Sequence, residues 1–213
     1  MPTTPGIKVS SPSDISHITT ILNSIQDWTT SHDLKLNPSK TEFLLISPSK
    51  SPPPVQLWMD SLKILNSKPT IVDSAKSLGI ILDKRLNLQT QINTMARNTQ
   101  FQLCLLWGAH RFFPEQDLKS LAQSLVLSKL DYCNSLLTGL PKSHFTPLKS
   151  TLHSAARFVF GAKKNDHISP MLITLRWLPI EARSIYETAC ITHMALHFST
   201  PRYLADKLKI SGG

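Results

Sequence analysis

A chain of 213 residues with 41% hydrophobic content is long enough for one ordinary domain or two small ones and can bury a core, which makes it a globular candidate. The formal charge is +9, and the excess is confined to one part: residues 1–83 hold seven Lys/Arg against seven Asp/Glu, whereas residues 84–213 hold sixteen against seven. Such a basic half suits a polyanion, nucleic acid or an anionic membrane surface, although proteins with neither partner also have basic isoelectric points.

Three widely spaced cysteines, Cys104, Cys133 and Cys190, form no C-x-x-C pair and imply no disulfide framework, which fits free thiols in a reducing compartment. The first ten residues lack the apolar core of a signal peptide, and no run approaches the length needed to span a bilayer. A soluble, intracellular protein is expected.

In chain order, the Pro- and Ser/Thr-rich residues 1–13 read as a poorly ordered leader. Ile15, Ile18, Leu22, Ile25 and Trp28 recur at spacings of three and four, which predicts a helix over 14–31 with Asp14 as its cap. Asn37-Pro38 forces extended or turn backbone, so Pro38-Ser39-Lys40 should bend and Phe43–Ile46 should form a short buried strand. After a proline-rich connection over 47–54, Val55–Met59 reads as a second strand that makes a long-looped hairpin with Phe43–Ile46, and Leu62–Leu65 as a third short segment that continues it. Leu78–Leu82 should return to the sheet, with Gly79 permitting a bulge or a close approach.

From residue 84 the period is helical. Leu88, Ile92, Met95, Thr99, Leu103 and Leu106 share a face that Gly108 interrupts; Pro114 opens a helix with Leu118, Leu121, Leu125, Ser128 and Tyr132 on one side. A helix over about 145–160 turns Leu148, Leu152, Ala155 and Val159 inward and stops at Gly161. A short helix near 168–176 and a longer one from Pro179 to Phe198 follow, with a final turn after Pro201.

Four separated blocks, L-K-L-N-P-S-K-T-E-F-L-L-I (34–46), K-S-L-G-I-I-L-D (76–83), L-D-Y-C-N-S-L-L-T-G-L-P (130–141) and H-I-S-P-M-L-I-T-L-R-W-L-P-I (167–180), are similar in content and order to non-LTR (LINE-type) retrotransposon reverse transcriptases. The first two resemble the back of the palm domain, and the last two the helical region after it. The resemblance covers roughly residues 14–208. It implies an α+β chain: a leader (1–13), a partial palm with a small antiparallel sheet remnant and one helix (14–83), and an all-helical, thumb-like domain (84–213).

The parent activity implied is RNA-directed DNA synthesis with two Mg²⁺ ions held by aspartates, two of them adjacent. This sequence contains no Asp-Asp pair, so no catalysis by the chain alone is expected, and no cofactor of its own. Lys40 matches the family's motif lysine, which approaches the triphosphate or pyrophosphate; beside Glu42 it also reads as a solvated turn lysine. Leu78 and Gly79 match the primer-grip hairpin, where backbone supports the primer end, or are simply core. In the thumb-like part Lys142, Lys149, Arg157, Lys163, Lys164 and Arg176, with Arg97, Arg111, Lys119 and Lys129, resemble a surface that tracks an RNA–DNA or RNA duplex through phosphates. Each also reads as the polar face of an amphipathic helix.

Cys190, His193 and His197 could face one side of a helix, but zinc needs a fourth ligand that no obvious candidate supplies, so packed or surface histidines are expected and no metal site. Trp28, Trp58, Trp107 and Trp177 sit in apolar surroundings and read as packing residues, although an aromatic can stack on a base. No small-molecule substrate or membrane partner is indicated. The alternative function is an interaction or self-associating protein whose apolar palm face is covered by a partner or a second copy.

Overall fold

The computed structural model describes residues 12–37, 40–47 and 70–208. The chain is an α+β mix, mostly helical with a few short strands, and divides into two compact units, Met1–Leu88 and Gln89–Gly213. The expected strands over 55–59 and 62–65, the first eleven leader residues and positions 38–39 lie outside the described residues.

In the first unit the 3–4 apolar spacing yields α1 (Pro12–Ser31), and Ile15 and Ile18 are buried against Leu22, Phe43, Leu45 and Ile71. Trp28, on the same predicted stripe, is 56% exposed, so the buried face covers only the earlier turns. Asp14 lies inside the first turn, where a carboxylate offsets the helix dipole, and not before the helix as a cap. The helix ends at Ser31. Asp33 takes left-handed angles (φ 54°) and Leu34 N–H donates to the Thr29 carbonyl at 2.8 Å, the hydrogen bond of a Schellman turn.

The expectation of one antiparallel sheet is corrected. Among the described residues β1 (Glu42–Leu44) pairs parallel with β2 (Thr70–Val72), and β3 (Ser74–Ser77) pairs antiparallel with β4 (Ile80–Asp83) in a separate two-stranded sheet. A parallel pair requires a long connection, and 25 residues separate β1 from β2; the register sets Phe43 opposite Ile71 on the apolar cluster around Ile15 and Ile18. Beyond β4 the Asp83 carboxylate accepts the N–H groups of Arg85 (2.9 Å), Asn87 (3.2 Å) and Leu88 (2.8 Å), which holds Leu86 and Leu88 at positive φ.

The second unit is built on α5 (Thr146–Phe160), which buries Leu148, Leu152, Ala155, Phe158 and Val159 and packs against α2 (Gln89–Ala109), α3 (Glu115–Ala122) and α6 (Ile168–Leu175). Ile92, Met95, Thr99 and Leu103 line the inner face of α2 as their spacing predicts. The face predicted after Pro114 is corrected. A π segment over Gln123–Leu127 joins α3 to α4 (Ser128–Asp131), and its wider turn rotates the core face onto Ala122, Val126, Leu127 and Leu130. Leu125 and Tyr132, placed inward by straight 3.6-residue counting, are 38% and 52% exposed.

The long α7 (Ile180–Phe198) follows, with α8 (Arg202–Ala205) after it. A paired hydrogen bond and ion pair from Arg183 to the Asp131 carboxylate ties α7 to α4, and the Thr138 hydroxyl donates to the Ser184 carbonyl at 3.1 Å. Among the described residues no helix is long and apolar enough to cross a membrane.

Candidate nucleic-acid interface

The last turn of α5 is anchored by Phe158, whose fully buried ring meets the edges of Trp107 and His110 at centroid distances of 5.4 and 5.5 Å. Trp107 and His110 stack on one another at 5.3 Å. Gly161 (φ 60°) closes the helix with Ala162 N–H donating to the Arg157 carbonyl at 2.9 Å, and a Cβ at Gly161 would lie 3.1 Å from His110 Cε1. The end of α5 and the short 3₁₀ turn His110–Phe112 are therefore in direct contact.

The loop beyond Gly161 is closed mainly through its own backbone. The Asp166 carboxylate accepts the Lys163 N–H at 2.6 Å, Asp166 N–H donates to the Lys163 carbonyl at 3.1 Å, and Arg157 Nη2 donates to the Asp166 carbonyl at 3.3 Å. This leaves the side chains of Lys163 and Lys164 exposed, and neither joins an ion pair among the described residues. Arg157 is half-buried, its Nε enclosed and without a hydrogen-bond partner among those residues. Directly after His110, the Arg111 guanidinium lies 4.9 Å over the ring of Phe112.

The other cations expected to contact phosphate are placed differently. Lys149, roughly 12 Å from Arg157 along the α5 axis, forms an ion pair with Glu181 at 2.6 Å and is not an open phosphate contact. Burial pushes the Glu181 carboxyl up, but the Lys149 hydrogen bond, a backbone hydrogen bond and the charges of Lys149 and Lys142 together hold it below its usual value. His153, between Lys149 and Arg157 on α5, is held below the ordinary imidazole value first by burial and then by the charges of Arg157 and Lys149, against a smaller opposing pull from Glu181. Lys142 is exposed in the 3₁₀ turn before α5. Arg176 is exposed, but its backbone shapes the end of α6, taking left-handed angles (φ 59°) so that Trp177, 5% exposed, can donate to the Leu172 carbonyl at 2.9 Å.

In the first unit Lys40 is exposed, and its N–H donates to the Asn37 carbonyl at 3.1 Å. Leu78 and Gly79, expected at the start of a strand, instead form the two-residue turn of the β3–β4 hairpin, with φ of 48° and 87°. That primed turn matches the twist of the flanking strands, and it carries Leu78 outward at 72% exposure.

His193 and His197 bring their rings to 4.3 Å on the exposed side of α7, beside a groove of about 440 Å³, while Cys190 is half-buried. No group of three His, Cys, Asp or Glu fit to hold a metal ion occurs among the described residues. Of the tryptophans, Trp177 is packed, Trp107 is 39% exposed, Trp28 stacks on His32 at the surface, and Trp58 lies outside the described residues.

Sequence reasoning named Arg111 only as one of many cations and missed its aromatic setting. The signal was present in W-G-A-H-R-F-F-P (107–114), an aromatic and basic run within a stretch, residues 84–114, that holds no Asp or Glu. Comparison with known protein families, curated proteins and solved structures gives no match for this chain.

Proposed function

We propose that this chain is a palm and thumb portion of a LINE-type reverse transcriptase whose helical unit binds nucleic acid through phosphates, independently of sequence. The observation that carries the binding is the loop after α5: its turn is closed by Asp166 and Arg157 through the backbone, so Lys163 and Lys164 stand in solvent without a carboxylate partner among the described residues. Fourteen Lys/Arg against seven Asp/Glu over residues 89–213 add a favourable long-range field. The four sequence blocks and their order support the family reading, and the exposed Leu78-Gly79 tip of a tight hairpin is compatible with a backbone support for a primer end.

The donor set for two Mg²⁺ ions does not fit: the sequence holds no Asp-Asp pair, and no carboxylate cluster converges among the described residues. No polymerase step is assigned to this chain, and a primed RNA template with Mg²⁺ should gain no nucleotides from it alone.

Fluorescence anisotropy of the full chain with an RNA–DNA hybrid tests the binding. Three phosphate contacts, from Lys163, Lys164 and Arg111, give a log–log salt slope of about −2 to −3. Lys163→Glu with Lys164→Glu should remove about two units of that slope; unchanged affinity and slope would overturn the proposal. A second reading, self-association, is favoured by α7, which leaves Ile185, Tyr186, Met194 and Phe198 at 60, 59, 47 and 68% exposure. A mass that rises with concentration, without affinity for the hybrid, would select it.

A further inference from the structure

The outward side of α2 and the turn after it carry large apolar residues that the packing of the second unit does not use. Phe101 and Leu105, four residues apart and hence on one helix face, are 65% and 63% exposed. Gly108, a further turn along, has nothing within 4 Å of where a Cβ would stand, and Phe112 and Phe113 follow at 69% and 43% exposure. Large apolar residues grouped along one helix face and the turn after it mark a surface that binds something.

The neighbouring charge says what. Arg111 carries its guanidinium 4.9 Å from the centre of the Phe112 ring, residues 84–114 hold no acidic side chain, and the Lys163-Lys164 loop begins at the Gly161–His110 contact. Glu115 and Asp117 open α3 just beyond, and Asp166 is engaged with the Lys163 N–H. An apolar protein partner would use the rings but neither Arg111 beside Phe112 nor the two lysines that follow the Gly161–His110 contact. A single strand of nucleic acid uses both features, since its phosphates follow the cations and its unpaired bases stack on exposed rings whatever their sequence.

We propose that Phe112, with Arg111 above it and Phe101 further along α2, is a stacking platform for unpaired bases of single-stranded RNA or DNA. The proposal rests on the phosphate-binding reading above and deepens it: the cations hold the backbone, and the rings select unpaired over paired bases. A duplex keeps its bases stacked internally and gains from the cations alone. Trp107 is committed to Phe158 and His110.

The test compares the full-length chain on three fluorescent probes by anisotropy: a twenty-nucleotide oligo-uridine, an abasic strand of the same length and charge, and an RNA–DNA hybrid. Wild type should bind the oligo-uridine roughly ten- to a hundredfold tighter than the abasic strand, the effect of one or two stacked bases. Phe112→Ala should remove most of that difference while leaving the abasic strand and the hybrid unchanged, and Phe112→Tyr should retain it. Equal binding of wild type to the oligo-uridine and the abasic strand would overturn the platform, and that comparison needs no variant to fold. Phe112→Ala that dissolves a dimer without altering oligo-uridine binding would also overturn it, making the stripe a contact between copies. Loss of every probe's affinity in Lys163→Glu with Lys164→Glu speaks to the phosphate reading; loss confined to Phe112→Ala on bases speaks to this one.

Discussion

Replacing Gly161 by alanine tests the contact on which the candidate interface is built. An alanine Cβ must adopt φ near 60°, a left-handed conformation that costs about 1–2 kcal/mol for a residue with a side chain. Loss of glycine's freedom in the unfolded chain returns about 0.5 kcal/mol. The new methyl also arrives 3.1 Å from His110 Cε1 and 3.4 Å from Nε2. That ring cannot swing aside, because it is stacked on Trp107 and edged by Phe158, so overpacking adds about 1 kcal/mol. The net cost is about 1.5–2.5 kcal/mol, read as a lower midpoint in urea denaturation of the full chain with an unchanged slope. In a His110→Ala background the ring is absent, and Gly161→Ala should cost about 1 kcal/mol less. A Gly161→Ala protein within about 0.3 kcal/mol of wild type, or one equally destabilised in both backgrounds, would show that α5 and the 110–112 turn do not meet as described.

Two other outcomes follow from the same packing. Asp131 and Arg183 are 52 residues apart in sequence, with side chains 32% and 18% exposed, so their bidentate pair stands between the surface and buried extremes. A double-mutant cycle with Asp131→Asn and Arg183→Met should give a coupling of about 1–2 kcal/mol, and a value below about 0.3 would mean that the pair does not fasten α7. His153 titrates below its ordinary 6.5 in the folded protein, so the unfolded chain takes the proton more readily. Its contribution is therefore full above pH 6.5 and is lost as pH falls through the folded value, whereas Glu181, also lowered, withdraws support only below 4.5. Denaturation midpoints measured from pH 7 to about pH 5 should fall more steeply for wild type than for His153→Gln, and parallel curves would refute the assignment.

Helix positions in this chain were legible because they follow from local periodicity. The inner face of α2, Ile92 to Leu103, and that of α5, Leu148 to Val159, can be counted off at spacings of three and four, and Gly161 marks its helix end because glycine alone enters left-handed angles without cost. Lys163 and Lys164 were legible for a similar reason, as adjacent charges just past that end. What tertiary structure decided is whatever depends on a distant neighbour. Asp33 and Arg176 end helices in the same left-handed conformation as Gly161; at Arg176 the next residue, Trp177, must be buried, and that need overrides the local preference. The π turn at Gln123–Leu127 moved the core face from Leu125 to Val126 and Leu127, and Phe43 found Ile71 in a parallel pair. Which cations stayed open was settled in the same way: Glu181 captured Lys149 from another helix, while the turn after α5 satisfied its own backbone and left Lys163 and Lys164 to solvent. Periodicity is a property of a few consecutive residues, but the partner of a charge or of a buried ring is a property of the folded chain.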